Sequence, residues 1–397
     1  MIRAWVHLMG CLLLGTMLTA HSATFEVSPT ARAAEPGEVP RFRTALLNAT
    51  TQHLDKLLDA SGHVAAMKGK SSAANTAMAF YLMFEETGNQ RYRAAAVELA
   101  DRVLAEMKAT KFGVLYIKEK DKDAGETIQG GGPPAFGWYT AALGYIFQRE
   151  GNRVDDLKYV GRVLDEFPWN AQGWWSADID IKTGISKVPL SKPSPINKNA
   201  SIVMAAGMVS AYLKSIDPER AAKLKAKADK CLYDQIIPQQ EADGFWHYSL
   251  SGNDPGNKDI LGYFMLTTTV LQQLQAFTDG YRDEACKNML AKAGAFAVRD
   301  IAPMTDPNKG VASKRTTKAT PPHYALADDL KRGYSLGMIL MLNGDTKEGI
   351  RIMDHALKFF PYGNAGEDGA HSALPAAMML RALKPVNGPG KPVKVLH

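Results

Sequence analysis

The stretch SSAANTAMAFYLMFEETGNQRYRAAAVELADRVLAEMK, residues 71–108, decides the fold. Its first half, 71–86, is apolar or small at almost every position, which predicts a helix that is buried on all sides. Its second half, 91–108, repeats apolar residues at helical spacing and carries charge on the opposite side, the pattern of a helix with one buried face. The short turn Thr87-Gly88-Asn89 joins the two halves. The stretch therefore predicts a hairpin of one inner and one outer helix.

The same kind of turn recurs along the chain at nearly constant spacing. With residues 88, 151, 217, 280 and 344 as markers, the steps are 63, 66, 63 and 64 residues. Each turn comes after an apolar segment rich in small residues and precedes an amphipathic one, as expected for an array of helical hairpins. The further helix pairs are predicted at 134–149 with 153–166, 199–214 with 218–236, 259–276 with 281–298, and 325–342 with 346–360.

Two helical segments remain outside these pairs. Residues 41–60 are amphipathic like an outer helix, and residues 371–383 are apolar and small like an inner helix. If the chain ends meet, these segments form a sixth hairpin, and a closed ring needs no polar capping repeats. We therefore predict an all-α fold, a toroid of six helical hairpins and twelve helices, in a single domain at 41–384.

The connections from each outer helix to the next inner helix are long, and they all emerge on one face of the predicted ring. Long loops in a compact domain are usually functional, and the helix N-termini on that face suit anions. We therefore expect the site there. The long loops are predicted at roughly 109–133, 167–197, 238–258, 299–324 and 361–370.

This arrangement resembles the (α/α)6 toroid shared by six-hairpin glycosidases, several polysaccharide lyases, uronyl epimerases and terpene cyclases. The resemblance covers about residues 41–384 and includes the loop segments 173–175 and 243–248. The DxDD motif of class II terpene cyclases is absent, because 178–181 reads Asp-Ile-Asp-Ile, and so is the Cys/His zinc set of prenyltransferases. The resemblance implies carbohydrate chemistry.

Catalytic candidates lie in two of the long loops. His247 can act as a general base near neutral pH, whereas Tyr248, with an ordinary pKa of about 10, needs neighbouring cations to do so and otherwise suits proton donation. Adjacent residues of an extended segment point to opposite faces, so only one of the two should face the cavity. Asp178 and Asp180 are the carboxylate candidates for hydrolysis, paired with Asp254, Glu367 or Asp368.

Binding candidates surround these residues. Trp174, Trp175 and Trp246 offer flat faces for sugar rings or, alternatively, anchor their loops by packing. Asn197 and Asn199 open an inner helix, where an amide can neutralise a uronate carboxyl group or simply cap the helix. His371 opens the last inner helix and is the remaining substrate-binding candidate. Basic side chains rim the same face at Lys182, Lys187, Lys192, Lys309, Lys314, Arg315 and Lys318.

Three functions stay open at this point. The first is a lyase or related enzyme that removes the C5 proton of an acidic, uronate-containing polysaccharide and cleaves it by β-elimination. The second is a glycoside hydrolase with paired carboxylates, and the third is a non-enzymatic toroid that binds glycans or a protein. The basic rim and the His247-Tyr248 pair favour the first.

Composition limits the partners. The 397 residues are 46% hydrophobic and 22% charged, which is ordinary for a globular protein and excludes a largely disordered or polytopic membrane chain. The net charge of +6 is too small for a nucleic-acid-binding surplus but suits an acidic substrate. No segment has the ligand spacing of a metal site or the fingerprint of a dinucleotide or phosphate site, so we expect no metal and no cofactor. The oligomeric state stays open.

Neither end of the chain is predicted to be part of the toroid. Arg3, the apolar run 8–18 and small residues near 20–23 predict a signal peptide at 1–23, with an alternative cleavage site near 33. We therefore expect a secreted or periplasmic protein that is free of the membrane. Residues 385–397 are rich in Pro and Gly and read as a disordered tail. Cys231 and Cys286 then remain, as a disulfide or as two buried thiols.

Overall fold

The computed structural model describes residues 32–64, 70–110, 112–113, 116–121, 125–130, 133–176, 195–248, 261–305, 311, 326–358 and 373–383. Within these ranges the chain forms twelve α-helices and one β-hairpin. The helices are α1 (Glu38–Asp55), α2 (Lys70–Thr87), α3 (Gln90–Ala109), α4 (Pro133–Glu150), α5 (Val154–Glu166), α6 (Ile196–Leu213), α7 (Pro218–Cys231), α8 (Leu261–Phe277), α9 (Glu284–Phe296), α10 (Leu326–Leu342), α11 (Thr346–Leu357) and α12 (Leu374–Ala382).

The helices form two concentric rings. The even-numbered helices make the inner ring, in which each contacts the next and α12 returns to α2. The odd-numbered helices make the outer ring. Helix α1 contacts both α11 and α12, so the first and last helices form the sixth hairpin. The predicted all-α toroid of six hairpins is confirmed.

The recurring turns have a common physical basis. Gly88 and Gly344 lie one and two residues after the ends of inner helices, with φ of 73° and 90°, a left-handed conformation that glycine adopts without a steric penalty. The next polar residue then caps the outer helix, as Asn89 Oδ1 accepts from the Arg91 N–H and Asp345 Oδ1 accepts from the Glu348 N–H. Asp217 caps the start of α7 in the same way, because its Oδ1 accepts from the Arg220 N–H.

The inner and outer helices differ as their sequences predict. Helix α6 is buried along almost its whole length, from Ile196 to Ser210, because it is enclosed by α4, α7 and α8. Helix α5 instead buries one stripe, including Leu157, Val160 and Leu164, and exposes its charged side. Two outer helices end in irregular turns, since π-helical segments continue α7 and α9 at Leu232–Ile236 and Ala297–Ile301.

One β-hairpin interrupts the helical pattern in the connection between α3 and α4. Strands β1 (Tyr116–Asp121) and β2 (Gly125–Gly130) pair antiparallel, with Tyr116 opposite Gly130. The sequence pattern predicts only a loop there. The two strands carry charged and small residues rather than an alternating apolar face, so they give no strand signal.

The two cysteines are free, buried thiols. The Cys231 thiol lies 3.6 Å from Asn199 Oδ1, and Cys286 Sγ lies 3.5 Å from the Tyr233 hydroxyl. The structure therefore decides the open question in favour of two thiols. Residues 1–31 and 384–397 lie outside the described residues, so the signal peptide, the tail and the domain limits stay predictions. None of the described helices combines the length and hydropathy of a membrane span.

Candidate functional site

The long connections leave the ring where the inner helices begin, and we call this end the loop face. The opposite end, where short turns join inner to outer helices, is the turn face. The segment Glu241–Tyr248 lies on the loop face, between the end of α7 and the start of α8. It carries two of the predicted catalytic residues, and the structure describes all of it.

A tight turn shapes this segment. Gly244 has φ of 98°, and a Cβ atom there would lie 2.1 Å from the carbonyl oxygen of Lys292 in α9. Only glycine therefore fits at this position. The Gly244 N–H donates to the Glu241 carbonyl, and the Glu241 N–H donates to the Phe245 carbonyl, both at 2.9 Å. The chain thus folds back on itself and brings residue 241 close to residue 247.

Two buried aromatic side chains fix the turn to the ring. Phe245 is fully buried and packs against Phe264 of α8 and Phe296 of α9, with ring centroids 5.5 and 5.1 Å apart. Trp246 is also buried, and its indole N–H donates to the Ile236 carbonyl at 3.1 Å. These contacts fix the backbone position from which the next two residues, His247 and Tyr248, extend.

His247 contacts a carboxylate that the sequence pattern does not single out. Its Nε2 bonds to Oε1 of Glu241, and its ring lies edge-on to Phe245 at 5.3 Å. The side chains of His247 and Glu241 are 21% and 39% exposed, so both remain reachable from solvent. An imidazole held by a carboxylate is a standard arrangement for proton transfer, because the carboxylate fixes the orientation of the ring.

Tyr248 turns away from His247. Its ring stacks on Tyr263, in the first turn of α8, with centroids 4.2 Å apart and planes 24° apart. The alternation expected for an extended segment is therefore seen in the different neighbours of the two residues. Which of the two faces a substrate stays a prediction.

The tryptophans of the preceding long loop are packed inside the protein. Trp174 and Trp175 are 4% and 0% exposed, and the Trp175 N–H donates to Asn199 Oδ1 at 2.9 Å. Trp169 lies against Trp175 with ring centroids 4.6 Å apart. These contacts anchor the loop to α6. A direct role of Trp174, Trp175 or Trp246 in sugar binding stays untested, and burial gives each of them a packing function.

The two asparagines of α6 differ in their environment. Asn199 is fully buried and accepts from Trp175, so it connects the loop to the helix. Asn197 is 4% exposed, and its Oδ1 has no hydrogen-bond partner within the described residues. A buried amide oxygen without a partner is costly, which makes Asn197 the more informative of the two. Asp178, Asp180 and His371 lie outside the described residues.

The partial exposure of a few inner-helix side chains identifies residues that the sequence pattern does not single out. Outer helices cover one side of an inner helix and its neighbours cover two others, so a partly exposed side chain on an inner helix lies toward the ring axis or, in the first turn, toward the loop face. Trp138 of α4, Lys198 of α6 and Tyr263 of α8 are half-buried although the residues around them are mostly buried. No pattern in these all-apolar helices distinguishes the axial side.

No group of three His, Cys, Asp or Glu side chains with metal-binding geometry occurs in the part of the chain that the structure describes. On the loop face the structure places the His247–Glu241 pair in the connection between α7 and α8, and Lys198 in the first turn of α6. These three groups can move a proton and attract an anion.

No protein-family model and no curated protein match the sequence. Solved structures do match. The chain is similar to cellobiose 2-epimerase from Bacillus thermoamylovorans, with 12% identity, a TM-score of 0.60 and coverage of 86% of this chain and 98% of that one. It is also similar to cellobiose 2-epimerase from Spirochaeta thermophila, with 13% identity, a TM-score of 0.54 and coverage of 86% and 97%. A D-mannose isomerase gives 12% identity, a TM-score of 0.52 and coverage of 88% and 99%. These similarities agree with the contacts around the ring: the fold is the (α/α)6 toroid.

Proposed function

We propose that this protein is a carbohydrate-active enzyme that removes a proton from a sugar carbon next to a carboxylate or carbonyl group, with His247 as the proton-transfer group. The observation that supports this most directly is the half-buried His247–Glu241 pair on the loop face. The proposal also rests on the toroid fold, whose similar solved structures are sugar epimerases and an isomerase.

The finer proposal is β-elimination in an acidic polysaccharide. His247 takes the C5 proton of a uronate residue, and the electron pair left at C5 forms a double bond to C4. The bond between C4 and the glycosidic oxygen breaks, and that oxygen leaves with a proton from a donor. Tyr248 is the donor candidate, since a neutral phenol carries a proton and its ring is held by Tyr263.

Recognition of the carboxylate would fall to the first turn of α6. Lys198 places a positive charge there, and the N-terminal end of an 18-residue helix favours anions through its free N–H groups. Pro195 precedes the helix and gives no side-chain cap to these groups. The amide of Asn197 can bind a sugar hydroxyl or the carboxylate itself. The net charge of +6 is consistent with an acidic substrate.

A second candidate is epimerisation or isomerisation at the reducing end of a small sugar. It is favoured by the similar solved structures, which are sugar epimerases and an isomerase, since such reactions can proceed by removal of a proton next to a carbonyl group. The two candidates differ after the proton transfer, because epimerisation returns a proton and breaks no glycosidic bond. The apolar segment at 8–18 favours export, so we propose that either substrate is met outside the cytoplasm.

The deciding experiment compares wild type with His247→Ala and a matched control, His63→Ala. His63 also pairs with a glutamate, Glu98, at 3.1 Å, but it lies on an exposed turn beside α3 and is 69% exposed. The substrates are polygalacturonate, alginate and glucuronan, monitored by ultraviolet absorbance of the unsaturated product. Cellobiose and mannose in D2O, monitored by NMR, report exchange and epimerisation.

Absorbance from wild type and His63→Ala, with a loss of about 10²–10⁴-fold in His247→Ala, supports elimination. Deuterium incorporation without absorbance supports epimerisation. Formation of reducing sugar without ultraviolet absorbance and without deuterium incorporation would instead support hydrolysis by Asp178 or Asp180. Absence of turnover and binding with every glycan contradicts a carbohydrate function.

A further inference from the structure

Side chains from opposite sides of the ring meet across its axis at the turn face. The Arg381 guanidinium of α12 donates to the Tyr145 hydroxyl of α4 at 3.0 Å, although α2 lies between these helices. Tyr145 also packs on Phe277 of α8, with centroids 4.9 Å apart, although α6 separates them. Arg381 in turn lies 5.6 Å from the Phe277 ring centroid. Because these inner helices are not neighbours in the ring, their side chains must meet near its axis, and they fill the centre of the ring at the turn face.

Two further residues complete this layer, which we call the seal: Glu85, Tyr145, Arg149, Phe277 and Arg381. Glu85 accepts from Arg149 at 2.6 Å and from Arg381 and Tyr145 at 2.8 and 2.7 Å. The Arg149 guanidinium lies over the Tyr145 ring, 3.4 Å from its centroid. Burial raises the pKa of Tyr145 well above its ordinary value, so the phenol stays neutral and donates to Glu85. The seal therefore places two guanidinium cations, Arg149 and Arg381, around the single carboxylate of Glu85.

Nearer the loop face, several side chains of the inner helices are only half-buried. A Cβ atom on Gly137 would lie 2.3 Å from the Ser201 carbonyl oxygen, so these two residues are at the same level in α4 and α6. Lys198 is three residues nearer the loop face than Ser201, which places it about one turn, or ~5 Å, above the level of Trp138. Leu266 and Ser335 are half-buried on α8 and α10. Together with Trp138, Lys198 and Tyr263 they are partly exposed side chains of the inner helices toward this end of the ring, and we call the region around them the pit.

The pit ends well before the seal. In α4, every residue of 139–147, directly after Trp138, is buried, and Tyr145 lies seven residues, or ~10 Å, below Trp138. Helices α6 and α10 are likewise buried over 199–210 and 336–343. The levels of Lys198 and Trp138 are thus about one helical turn, or ~5 Å, apart, which is about the length of one sugar ring, and Trp138 lies at the deeper level.

We propose that the pit is blind and receives the end of a saccharide chain or a short oligosaccharide, so that the substrate enters and leaves by the loop face and never threads through the ring. This inference rests on the proposed function and specifies its substrate. Trp138 would stack on the terminal sugar, and Lys198 would sit beside the next one out. A chain end fits such a pit, whereas an internal segment of a polymer has no exit through the seal.

The test uses the full chain with galacturonate oligomers of two, three, four and six residues, and the matching cello-oligosaccharides. Calorimetry on His247→Ala gives affinity without turnover, and chromatography of early wild-type products gives the cleavage pattern. We expect affinity to stop rising after the shortest oligomers, and polygalacturonate to release only short products from the first time points.

Variants that fill the pit give an independent readout. Ser335→Trp should weaken binding of the dimer and trimer by about tenfold or more. Val154→Trp adds the same side chain on the outer helix α5, where Val154 is 37% exposed, and should leave binding unchanged. Because Ser335→Trp can also disturb packing, Trp138→Ala provides a second variant, and the melting temperature of each is measured.

Affinity that keeps rising to the hexamer, early products of intermediate length, or equal binding by Ser335→Trp and wild type would overturn the blind pit while leaving the proposed function intact. A complete absence of glycan binding at every length and charge would instead refute the proposed function, and this inference with it.

Discussion

Arg381 and Tyr145 lie on inner helices that are not neighbours in the ring, yet the guanidinium and the phenol are 3.0 Å apart across the ring axis. Arg381 occupies the last turn of α12, where a cation also offsets the partial negative charge of the helix C-terminus. Its second partner is Glu85 of α2, at 2.8 Å. One side chain thus connects the last helix of the chain to its first and second complete hairpins, α2–α3 and α4–α5.

Replacement of Arg381 should therefore destabilise the ring. We expect Arg381→Ala to lower the free energy of unfolding by about 1–3 kcal/mol, because it removes charged hydrogen bonds and leaves Glu85 and Tyr145 with fewer partners. Arg162→Ala is the matched control, since Arg162 pairs with Glu166 on the exposed side of α5 and should cost under about 0.5 kcal/mol. Chemical denaturation measures the free energy of unfolding of both variants. Equal losses in the two would contradict the proposal that Arg381 holds the inner helices together.

Closure of the ring predicts that two truncations of the C-terminal end differ strongly in their effect on stability. A chain ending before residue 371 loses α12, and this exposes the faces of α2 and α10 that pack against it. A chain ending at Leu383 keeps all twelve described helices and should melt close to wild type. Thermal unfolding monitored by circular dichroism distinguishes the two truncations, and similar melting temperatures would argue against the closed ring.

The helices are predictable because burial dictates their composition. An inner helix touches protein on nearly all sides and is apolar all round, while an outer helix keeps one charged side. The sequence predicts a helix at 91–108, and α3 is Gln90–Ala109. The turn after each of the inner helices α2, α4, α6, α8 and α10, usually with a glycine and an Asn or Asp, makes the period visible. The β-hairpin at 116–130 is not predictable in this way because its sequence lacks an apolar face.

The site is harder to predict because its chemistry depends on tertiary contacts. Glu241 is six residues before His247, and only the turn at Gly244 brings them together. An aromatic residue in a loop gives no sign of whether it packs inward, as Trp175 does, or outward. Trp138 and Lys198 lie in helices without a polar stripe, so the side that faces the axis leaves no mark in the sequence.

The cysteines give a simple chemical test of the core. Burial raises the pKa of the Cys286 thiol to about 12, and full burial also raises that of Cys231, so neither should form a thiolate near neutral pH. We expect the chain without its predicted signal peptide to react with no thiol reagent in the native state at pH 8. After unfolding without reductant, two thiols should react. No reaction after unfolding would indicate a disulfide instead.

Acid should weaken the contact between α2 and α4, two neighbouring inner helices. Hydrogen bonds from Arg93 lower the pKa of Glu150 below its ordinary value of 4.5, although burial opposes this, and Tyr81 also donates to it at 2.9 Å. A carboxyl group with a lowered folded-state pKa stabilises the fold above its ordinary pKa, and this stabilisation is lost as pH falls through the folded-state value.

Glu150→Gln should therefore be less stable than wild type at pH 7, and the difference should shrink below about pH 4.5. Melting temperatures between pH 3 and 7 measure this. Glu166→Gln is the control, because the Glu166 side chain is 57% exposed and its removal should change little at any pH. A constant difference between Glu150→Gln and wild type across this range would contradict the assignment.

The His247–Glu241 pair predicts a non-additive effect on catalysis. Glu241→Gln keeps the size of the side chain but removes the charge that orients the imidazole. We therefore expect a smaller loss of kcat than the roughly 10²–10⁴-fold loss that removal of the proton-transfer group causes. The double variant should then be no slower than His247→Ala alone, because Glu241 acts only through His247. Multiplying losses in the double variant would show that the two side chains act independently, and this would refute the pair as a catalytic unit.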